Sequence, residues 1–165
     1  MAKKGGSRHE KTLAAPRIRK IKRKETVWTV KSRAGPHSSE NSLPLLLLLR
    51  DYLKFAKNSR EAEHIIKSKE VLVDQRVVTD QKFPLGFMDV ISIPKLGEYY
   101  RIVLDKLGRI DLQELKREET NFKLCRIETK TSVSKESIQL TLHDGRNILV
   151  KDGKYNVGDV LKISL

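Results

Sequence analysis

The stretch from Lys57 to Val78, KNSREAEHIIKSKEVLVDQRVV, combines the start of a helix with a tight pair of strands. Asn58 belongs to the residue types that cap helix N-termini, and Glu61, three residues later, completes a capping-box pattern. Three apolar residues then have the i, i+3, i+4 spacing of a helix with one buried face: Ala62, Ile65 and Ile66. This segment is therefore predicted to begin as a short amphipathic helix.

The second half of this stretch changes to a period of two. In EVLVDQRVVTD, Val71 and Val73 are predicted to face the same side of a strand, and Asp74-Gln75 is a plausible two-residue hairpin turn. A further strand is predicted from Phe87 to Ile93. The pattern therefore predicts a helix joined directly to a small antiparallel sheet.

The residues before this stretch predict another helix. The sequence SLPLLLLLRDYLKFAKN has a candidate N-cap at Ser42 and a proline, Pro44, in the first turn, where the missing N–H is tolerated. The run Leu45 to Leu49 is apolar on more than one face of such a helix. We therefore predict a compact unit over residues 42–97, made of two short helices and a β-hairpin.

The composition favours a polyanionic partner. The chain has 165 residues, a net charge of +13 and a pI near 9.9, which is typical of proteins that bind nucleic acid or an anionic membrane surface. The longest unbroken apolar run, Leu45 to Leu49, is far too short to span a bilayer. The single cysteine, Cys125, excludes an internal disulfide. These features predict a soluble cytosolic protein that binds RNA or DNA.

The first 24 residues carry ten Lys or Arg and only one Glu. Because this segment has few apolar residues and no sustained period, we expect it to be mobile in the free protein. Two interpretations stay open: a solubility tail or localisation signal, and an arm that becomes ordered along phosphates with release of counterions. The charge density favours the arm.

Two features lie between this arm and the compact unit. Trp28, in a predicted short strand from Thr26 to Val30, either stacks on a base or ribose, or docks the arm onto the globular body. His37 follows a Gly-Pro break, and no neighbouring histidine or cysteine completes a metal site. We therefore predict no metal and no cofactor.

Basic residues surround the junction of the predicted helix and hairpin. Arg60 lies in the first turn of the helix, where free N–H groups and the positive end of the dipole also attract phosphate. The alternative is that Arg60 only pairs with Glu61 or Glu63 on the helix surface. His64 is either a phosphate contact or a partly buried helix residue.

Residues 98–165 are predicted to form a small antiparallel sheet or partly open barrel. The clearest hairpin is IQLTLHDGRNILV, with Asp144-Gly145 as a favoured type I′ turn, and residues 114–121 are predicted to form one helical turn. Cys125 is expected in the core, and His143 beside Asp144 is expected to serve the turn. With no phosphate loop, dinucleotide fingerprint or zinc spacing, we predict no catalytic residues.

The ordered motifs resemble those of a known family. NSREAEHIIKSKEVLVDQRVV with the later GFMDVISI is similar to the S-four (S4) RNA-binding module. The wider series, SRHEKTLAAP, Trp28, GPH, SLPLLLLLRDYLKFA and FPLGFMDVISI in that order, resembles the archaeal and eukaryotic small-subunit ribosomal protein family S-four-e (S4e). The resemblance covers essentially the whole chain and implies direct binding to small-subunit ribosomal RNA.

The sequence and this resemblance together predict an α+β protein with a basic N-terminal extension (1–41), an S4-type module (42–97) and a central β-rich domain (98–165). The expected RNA contacts are Arg8, His9, Lys11, Arg17, Arg19, Lys20, Lys22, Arg23, Lys24, Trp28, His37, Arg50, Lys54, Lys57, Arg60, His64, Lys67, Lys69, Arg76 and Lys82. The expected partners are small-subunit ribosomal RNA and neighbouring ribosomal proteins, with no membrane and no small-molecule substrate. The protein is expected to be a monomer when free and ribosome-bound in the cytoplasm.

Members of this family usually carry a further β-barrel of the KOW type, whereas this sequence stops at NVGDVLKISL, so contacts of that domain cannot be transferred to it. Two other functions stay open at this point. One is a stand-alone RNA-binding regulator, and the other is the RNA-binding fragment of an RNA-modifying enzyme.

Overall fold

The computed structural model describes residues 8–134, 137–151 and 153–165. Over these residues the protein is an α+β fold, as predicted. In chain order the elements are β1 (Glu10–Lys11), a 3-10 turn (Thr12–Ala14), β2 (Trp28–Thr29), β3 (Leu43–Pro44), α1 (Leu45–Leu47) continued by a π-helical turn (Leu48–Tyr52), α2 (Ser59–Lys67), β4 (Leu72–Val73), β5 (Arg76–Val77), β6 (Pro84–Leu85), β7 (Val90–Ile93), β8 (Glu98–Leu104), β9 (Ile110–Glu114), a second 3-10 turn (Arg117–Asn121), β10 (Phe122–Ser134), β11 (Ser137–Leu142), β12 (Asn147–Val150) and β13 (Val160–Ser164). None of the described helices is long and apolar enough to cross a membrane.

The first helix starts later than predicted. Ser42 is not its N-cap; Pro44 occupies that position, without a side-chain cap. The reason is that β3 pairs with β6, which holds the chain extended up to Pro44. Leu45 to Leu49 are all buried, as a helix that is apolar on several faces requires.

The second helix and its hairpin follow the prediction closely. Asn58 caps α2 by accepting a hydrogen bond from the Glu61 N–H at 3.0 Å. The Glu61 carboxylate accepts from the N–H of Lys57, one residue before the cap. Asp74 and Gln75 both have positive φ angles, as a type I′ turn between β4 and β5 requires. Local sequence therefore determines this unit.

The sheet that contains β4, β5 and β7 extends past residue 98, where we predicted the β-rich domain to begin. The strands form one five-stranded sheet in the order β5-β4-β7-β8-β9, and β8 pairs antiparallel with β7. The β8–β9 hairpin, assigned from sequence to the β-rich domain, thus belongs to the sheet of the module. Its residues Ile102 and Ile110 are buried in the same core as the leucines of α1.

The remaining strands form a second, four-stranded sheet in the order β12-β11-β10-β13. Its small core is centred on Cys125, Ile127, Leu140 and Leu142. Burial, together with nearby Asp144, raises the pKa of the Cys125 thiol to about 12, so the thiol is protonated at neutral pH and packs as a core residue.

The hairpin between β11 and β12 does not have the predicted type I′ turn. Gly145 has a positive φ, but Asp144 does not, and the Gly145 N–H donates to the Leu142 carbonyl. This is the three-residue loop in which a glycine follows a type I turn. The loop turns the Asp144 carboxylate inward, where it is 3% exposed.

A buried ion cluster joins the two sheets. The Lys123 ammonium of β10 lies 2.9 Å from Asp74 Oδ2 and 3.2 Å from Asp144 Oδ2, and it also donates to Asp89. Arg146 adds a guanidinium that lies 2.7 Å from Asp74 and 3.2 Å from Asp144. Because Asp74 and Asp89 belong to the module and the other three to the second unit, the cluster fixes how the two units meet.

The pKa values of this cluster favour its charged form. Burial alone would raise the pKa of Asp89, but His37 and Lys123 outweigh burial and hold that pKa below its usual value. Burial would lower the pKa of Lys123, but Asp89 and Asp74 outweigh it and raise that pKa. The carboxylate contribution to stability is lost as the pH falls below about 4, and the ammonium contribution as it rises above about 10.

We expect Lys123→Met to lower the free energy of unfolding by about 3–5 kcal/mol, since it leaves the carboxylates of Asp74, Asp89 and Asp144 without their shared cation. Denaturant unfolding near pH 7 measures the change. Lys106→Met, at an exposed turn, is the matched control and should change stability by less than about 0.5 kcal/mol. A loss at Lys123 no larger than that of the control would contradict this role.

Candidate nucleic-acid interface

The basic N-terminal segment is folded against the module, contrary to our expectation that it is mobile. The reason is Arg19, whose side chain is buried and whose guanidinium is fully engaged. It lies 2.7 Å from a Glu10 carboxylate oxygen, donates to the carbonyl oxygens of Ser42 and Ser39, and donates to the Ser32 hydroxyl. The corresponding expectation for residues 1–7 lies outside the described residues.

The Arg19 guanidinium, a predicted RNA contact, is therefore buried with four protein partners and does not face solvent. Arg23 also supports the fold of the segment, since it donates to backbone carbonyls of residues 12, 13, 15 and 16. Lys20 lies 3.2 Å from both Asp105 and Asp111, which ties the segment to the β8–β9 hairpin. Three of the predicted contacts therefore position the segment.

His37, another predicted contact, is buried as well. Its side chain is 6% exposed, and Nε2 lies 3.0 Å from Asp89 Oδ1, inside the ion cluster. The ring packs so closely on Gly86 that a Cβ there would lie 2.2 Å from His37 Cγ. The GPH and FPLG motifs, which are far apart in the sequence, pack together at this point.

The other cations of the segment face solvent: Arg8, His9, Lys11, Arg17, Lys22 and Lys24. Lys22 forms an exposed i, i+3 ion pair with Glu25 at 2.8 Å, which contributes little to stability. Trp28 is 58% exposed, although β2 pairs with β1 and places Lys11 opposite it. The segment therefore presents exposed cations and an exposed aromatic ring on a folded support.

A groove of about 490 Å³ brings this segment together with the helical module. Its lining includes Arg8, His9, Trp28 and Lys31 from the segment, and Ser59 at the start of α2 and Lys82 from the module. Of the predicted contacts, Arg8, His9, Trp28 and Lys82 therefore meet at one site. Lys31, Ser59 and Gln81 were not predicted as contacts from the sequence. For Lys31 a signal was available, because it is a cation only three residues after Trp28.

The cations around the junction of α1 and α2, which we call the elbow (residues 53–69), are also exposed. Arg60 and Lys57 lie at the start of α2, and His64 on its surface. Lys67 pairs with Glu63 at 2.8 Å, and the Glu61 carboxylate is engaged by the helix cap. The proposed pairing of Arg60 with either glutamate is therefore absent from the described part of the chain. The cap does place a carboxylate at this terminus, which weakens the attraction of its N–H groups for phosphate.

Two predicted contacts are placed differently. Arg50 is half-buried and forms a bidentate pair with the neighbouring Asp51, and it also donates to the Ser59 hydroxyl. Arg76 lines a separate cavity of about 570 Å³ beside Asp74 and Arg146. Arg76 and Lys82 therefore line different cavities.

Both helices end in a lysine with left-handed backbone conformation. Lys54 follows α1 with φ of 57°, and Lys69 follows α2 with φ of 61°, where glycine or asparagine is usual. The Lys69 N–H closes the helix by donating to the Ile66 carbonyl at 3.1 Å. The chain thus has a costly side chain at each of these two exposed positions.

Family models match the chain in three consecutive parts. The RS4NT domain matches residues 4–40, the S4 domain residues 44–91, and the model described as ribosomal family S4e residues 96–165. Small ribosomal subunit protein eS4 of Methanothermobacter thermautotrophicus is 49% identical over 165 residues, covering all of this chain and 68% of the relative. The protein of the same name from Methanocaldococcus jannaschii is 47% identical over 173 residues, and the match covers all of this chain and 70% of that protein.

A solved structure shows the same similarity. The crystal structure of the 30S ribosomal protein S4e from Thermoplasma acidophilum matches with a TM-score of 0.66 and 40% sequence identity. The match covers 75% of this chain and 64% of that one. The chain therefore spans roughly two thirds of the length of the relatives that it matches.

We expect Lys69→Gly to raise the free energy of unfolding by about 0.5–1 kcal/mol, because glycine adopts the left-handed conformation without steric cost. Lys67→Gly is the matched control: it removes the same side chain two residues earlier, inside the helix, and should lower stability by up to about 1 kcal/mol. Chemical denaturation of both variants gives the two signs. A destabilised Lys69→Gly would show that the lysine side chain itself stabilises the helix end.

Proposed function

Since the chain belongs to ribosomal family S4e, we infer that it is a structural, RNA-binding protein of the small ribosomal subunit. We propose that its role is structural rather than enzymatic, and that it acts on the ribosome in the cytoplasm. Its proposed partners are small-subunit ribosomal RNA and adjacent ribosomal proteins, and we propose that the free chain is a monomer. The RNA-binding regulator and the fragment of a modifying enzyme fit this family less well.

The observation that carries the RNA-binding proposal is the joint surface of the N-terminal segment and the module. Buried Arg19 holds the segment in place, and Arg8 and Lys31 of the segment line one groove with Lys82 and with Ser59 at the start of α2. Rigid cations on a folded support suit the fixed phosphate pattern of folded RNA, which proteins recognise largely by shape and backbone.

We propose that the RNA contacts are the predicted residues other than six that the structure places differently. Arg19 and His37 are buried, Lys20, Arg23 and Arg50 support the fold through their protein partners, and Arg76 lines a separate cavity. The proposed contacts are Arg8, His9, Lys11, Arg17, Lys22, Lys24, Trp28, Lys54, Lys57, Arg60, His64, Lys67, Lys69 and Lys82. For the organisation of the chain, we propose an N-terminal extension up to about residue 41, a module that continues to the end of β9, and a β unit that starts at β10.

Titration of the free protein against small-subunit ribosomal RNA tests the proposal. We expect tighter binding to this RNA than to an equal mass of unrelated structured RNA, and a logarithmic affinity that falls linearly with the logarithm of salt concentration. Equal affinity for both RNAs at physiological salt would contradict specific recognition of ribosomal RNA.

Arg60→Ala tests the elbow part of this surface. The substitution should weaken binding of small-subunit ribosomal RNA by roughly 5- to 100-fold, since it removes a charge-assisted contact, and should change stability by less than about 0.5 kcal/mol. Arg60→Lys should recover only part of the loss, because lysine lacks the planar guanidinium. Lys106→Ala, which removes an exposed cation from the β8–β9 turn, is the control for net charge. Equal affinities of the Arg60→Ala and Lys106→Ala variants would remove Arg60 from the interface.

A further inference from the structure

Trp28 is the only tryptophan of the chain, and its position excludes one of the two roles considered from sequence. With 58% of its surface exposed, the indole does not dock the N-terminal segment onto the globular body. Its aromatic neighbour is His9 of the same segment, edge-on at 5.9 Å between ring centroids. The Lys11 ammonium lies 6.0 Å from the indole centroid. The ring is held in place by the segment, and most of it remains open to solvent.

The indole lines two adjoining open grooves. One is the groove of about 490 Å³ shared with the module, and the other, of about 510 Å³, is lined by Lys11, Ala14 and Lys31. Both volumes lie in the range of sites that hold small ligands. A planar group that enters either groove would therefore meet the aromatic ring.

The charges around the ring favour an anionic ligand. Arg8, Lys31 and Lys82 line the groove shared with the module, and Glu10 is the one acidic side chain among its described lining residues. The Glu10 carboxylate lies 2.7 Å from the buried Arg19 guanidinium, which neutralises its negative charge. An exposed aromatic ring among cations is the arrangement with which proteins bind unpaired nucleotides: the base stacks on the ring, and the cations hold the backbone.

We propose, on the basis of the RNA-binding function above, that Trp28 stacks on one unpaired base of the bound RNA. Arg8 and Lys82 are placed to hold the phosphates beside that nucleotide. A base within a continuous duplex is covered on both faces by its neighbours and cannot stack on the indole, so the site selects a bulged, looped or terminal nucleotide. The site thereby recognises an unpaired base, whereas the rest of the surface binds phosphates through their charge.

The fluorescence of the single tryptophan reports on this site alone. We would titrate the intact chain with single-stranded octaadenylate and with a fully paired RNA duplex at low salt. Fluorescence anisotropy of a dye on each RNA follows binding independently. We expect octaadenylate to quench and shift the Trp28 emission as it saturates the anisotropy signal, and the duplex to bind without that change.

The outcomes separate this site from the general function. Unchanged Trp28 emission at saturating octaadenylate would overturn the stacking site and leave RNA binding intact. An equal change with the duplex would also overturn it, since selection of an unpaired base would then be absent. Failure of both RNAs, and of small-subunit ribosomal RNA, to change the anisotropy would contradict the RNA-binding function itself.

Substitutions give a second measure of the same contact. Trp28→Leu should weaken octaadenylate binding by about 5- to 100-fold, the range measured for loss of one base–aromatic stack. Trp28→Phe should retain most of the affinity, because a flat ring remains. Val27→Ala is the matched control, since Val27 is also exposed and adjacent but offers no ring, and its affinity should equal that of the wild type. A Trp28→Leu variant that keeps the wild-type circular dichroism spectrum and full affinity would contradict the proposal.

Discussion

The burial of one guanidinium, that of Arg19, determines how the basic N-terminal part of this protein is used. Removing a charge from water is costly unless it is paired and its hydrogen-bond donors are satisfied. Glu10 supplies the opposite charge, and the carbonyls of Ser39 and Ser42 with the Ser32 hydroxyl take the remaining donors. The planar fork of arginine suits this set of acceptors, which surround it from three parts of the chain.

The protein uses its cations in two distinct ways. Arg19 and Lys123 are buried and hold segments together, the first joining the N-terminal segment to the module and the second joining the two sheets. Arg8, Lys11, Arg60 and others are exposed and available to phosphate. The buried cations fix the geometry of the exposed ones. Binding RNA therefore costs less conformational entropy than ordering a flexible arm would.

Much of the fold could be predicted because it depends on neighbours in sequence. The Asn58 cap, the stripe of α2 and the Asp74-Gln75 turn are encoded within a few residues of one another. The ion cluster could not be predicted in this way, because Lys123 meets Asp74 and Asp89 across 49 and 34 residues. A signal did exist: alternation along β10 puts Lys123 on the same face as the core residue Cys125, where a cation needs buried partners.

The N-terminal segment was predicted to be mobile because a run of charges with few apolar residues usually buries too little apolar surface to offset the conformational entropy lost on folding. Its order depends on a few anchors, Arg19 and the partly buried Ile18 and Ile21, whose partners lie elsewhere in the chain. For the interface, sequence identified Arg8, Trp28 and Lys82 individually. That these three line one groove follows only from how the segment folds back on the module.

The central claim is that the RNA-binding surface is already formed in the free protein. Hydrogen–deuterium exchange of the chain without RNA tests this claim most directly, at amides such as those of Thr12 and Lys20, which donate to the Val27 carbonyl and the Tyr52 hydroxyl. We predict slow exchange at these amides in the wild type, and fast exchange in Arg19→Met while the sheet amides remain protected. Exchange at the rate of an unstructured chain across residues 10–24 of the wild-type protein would contradict the account.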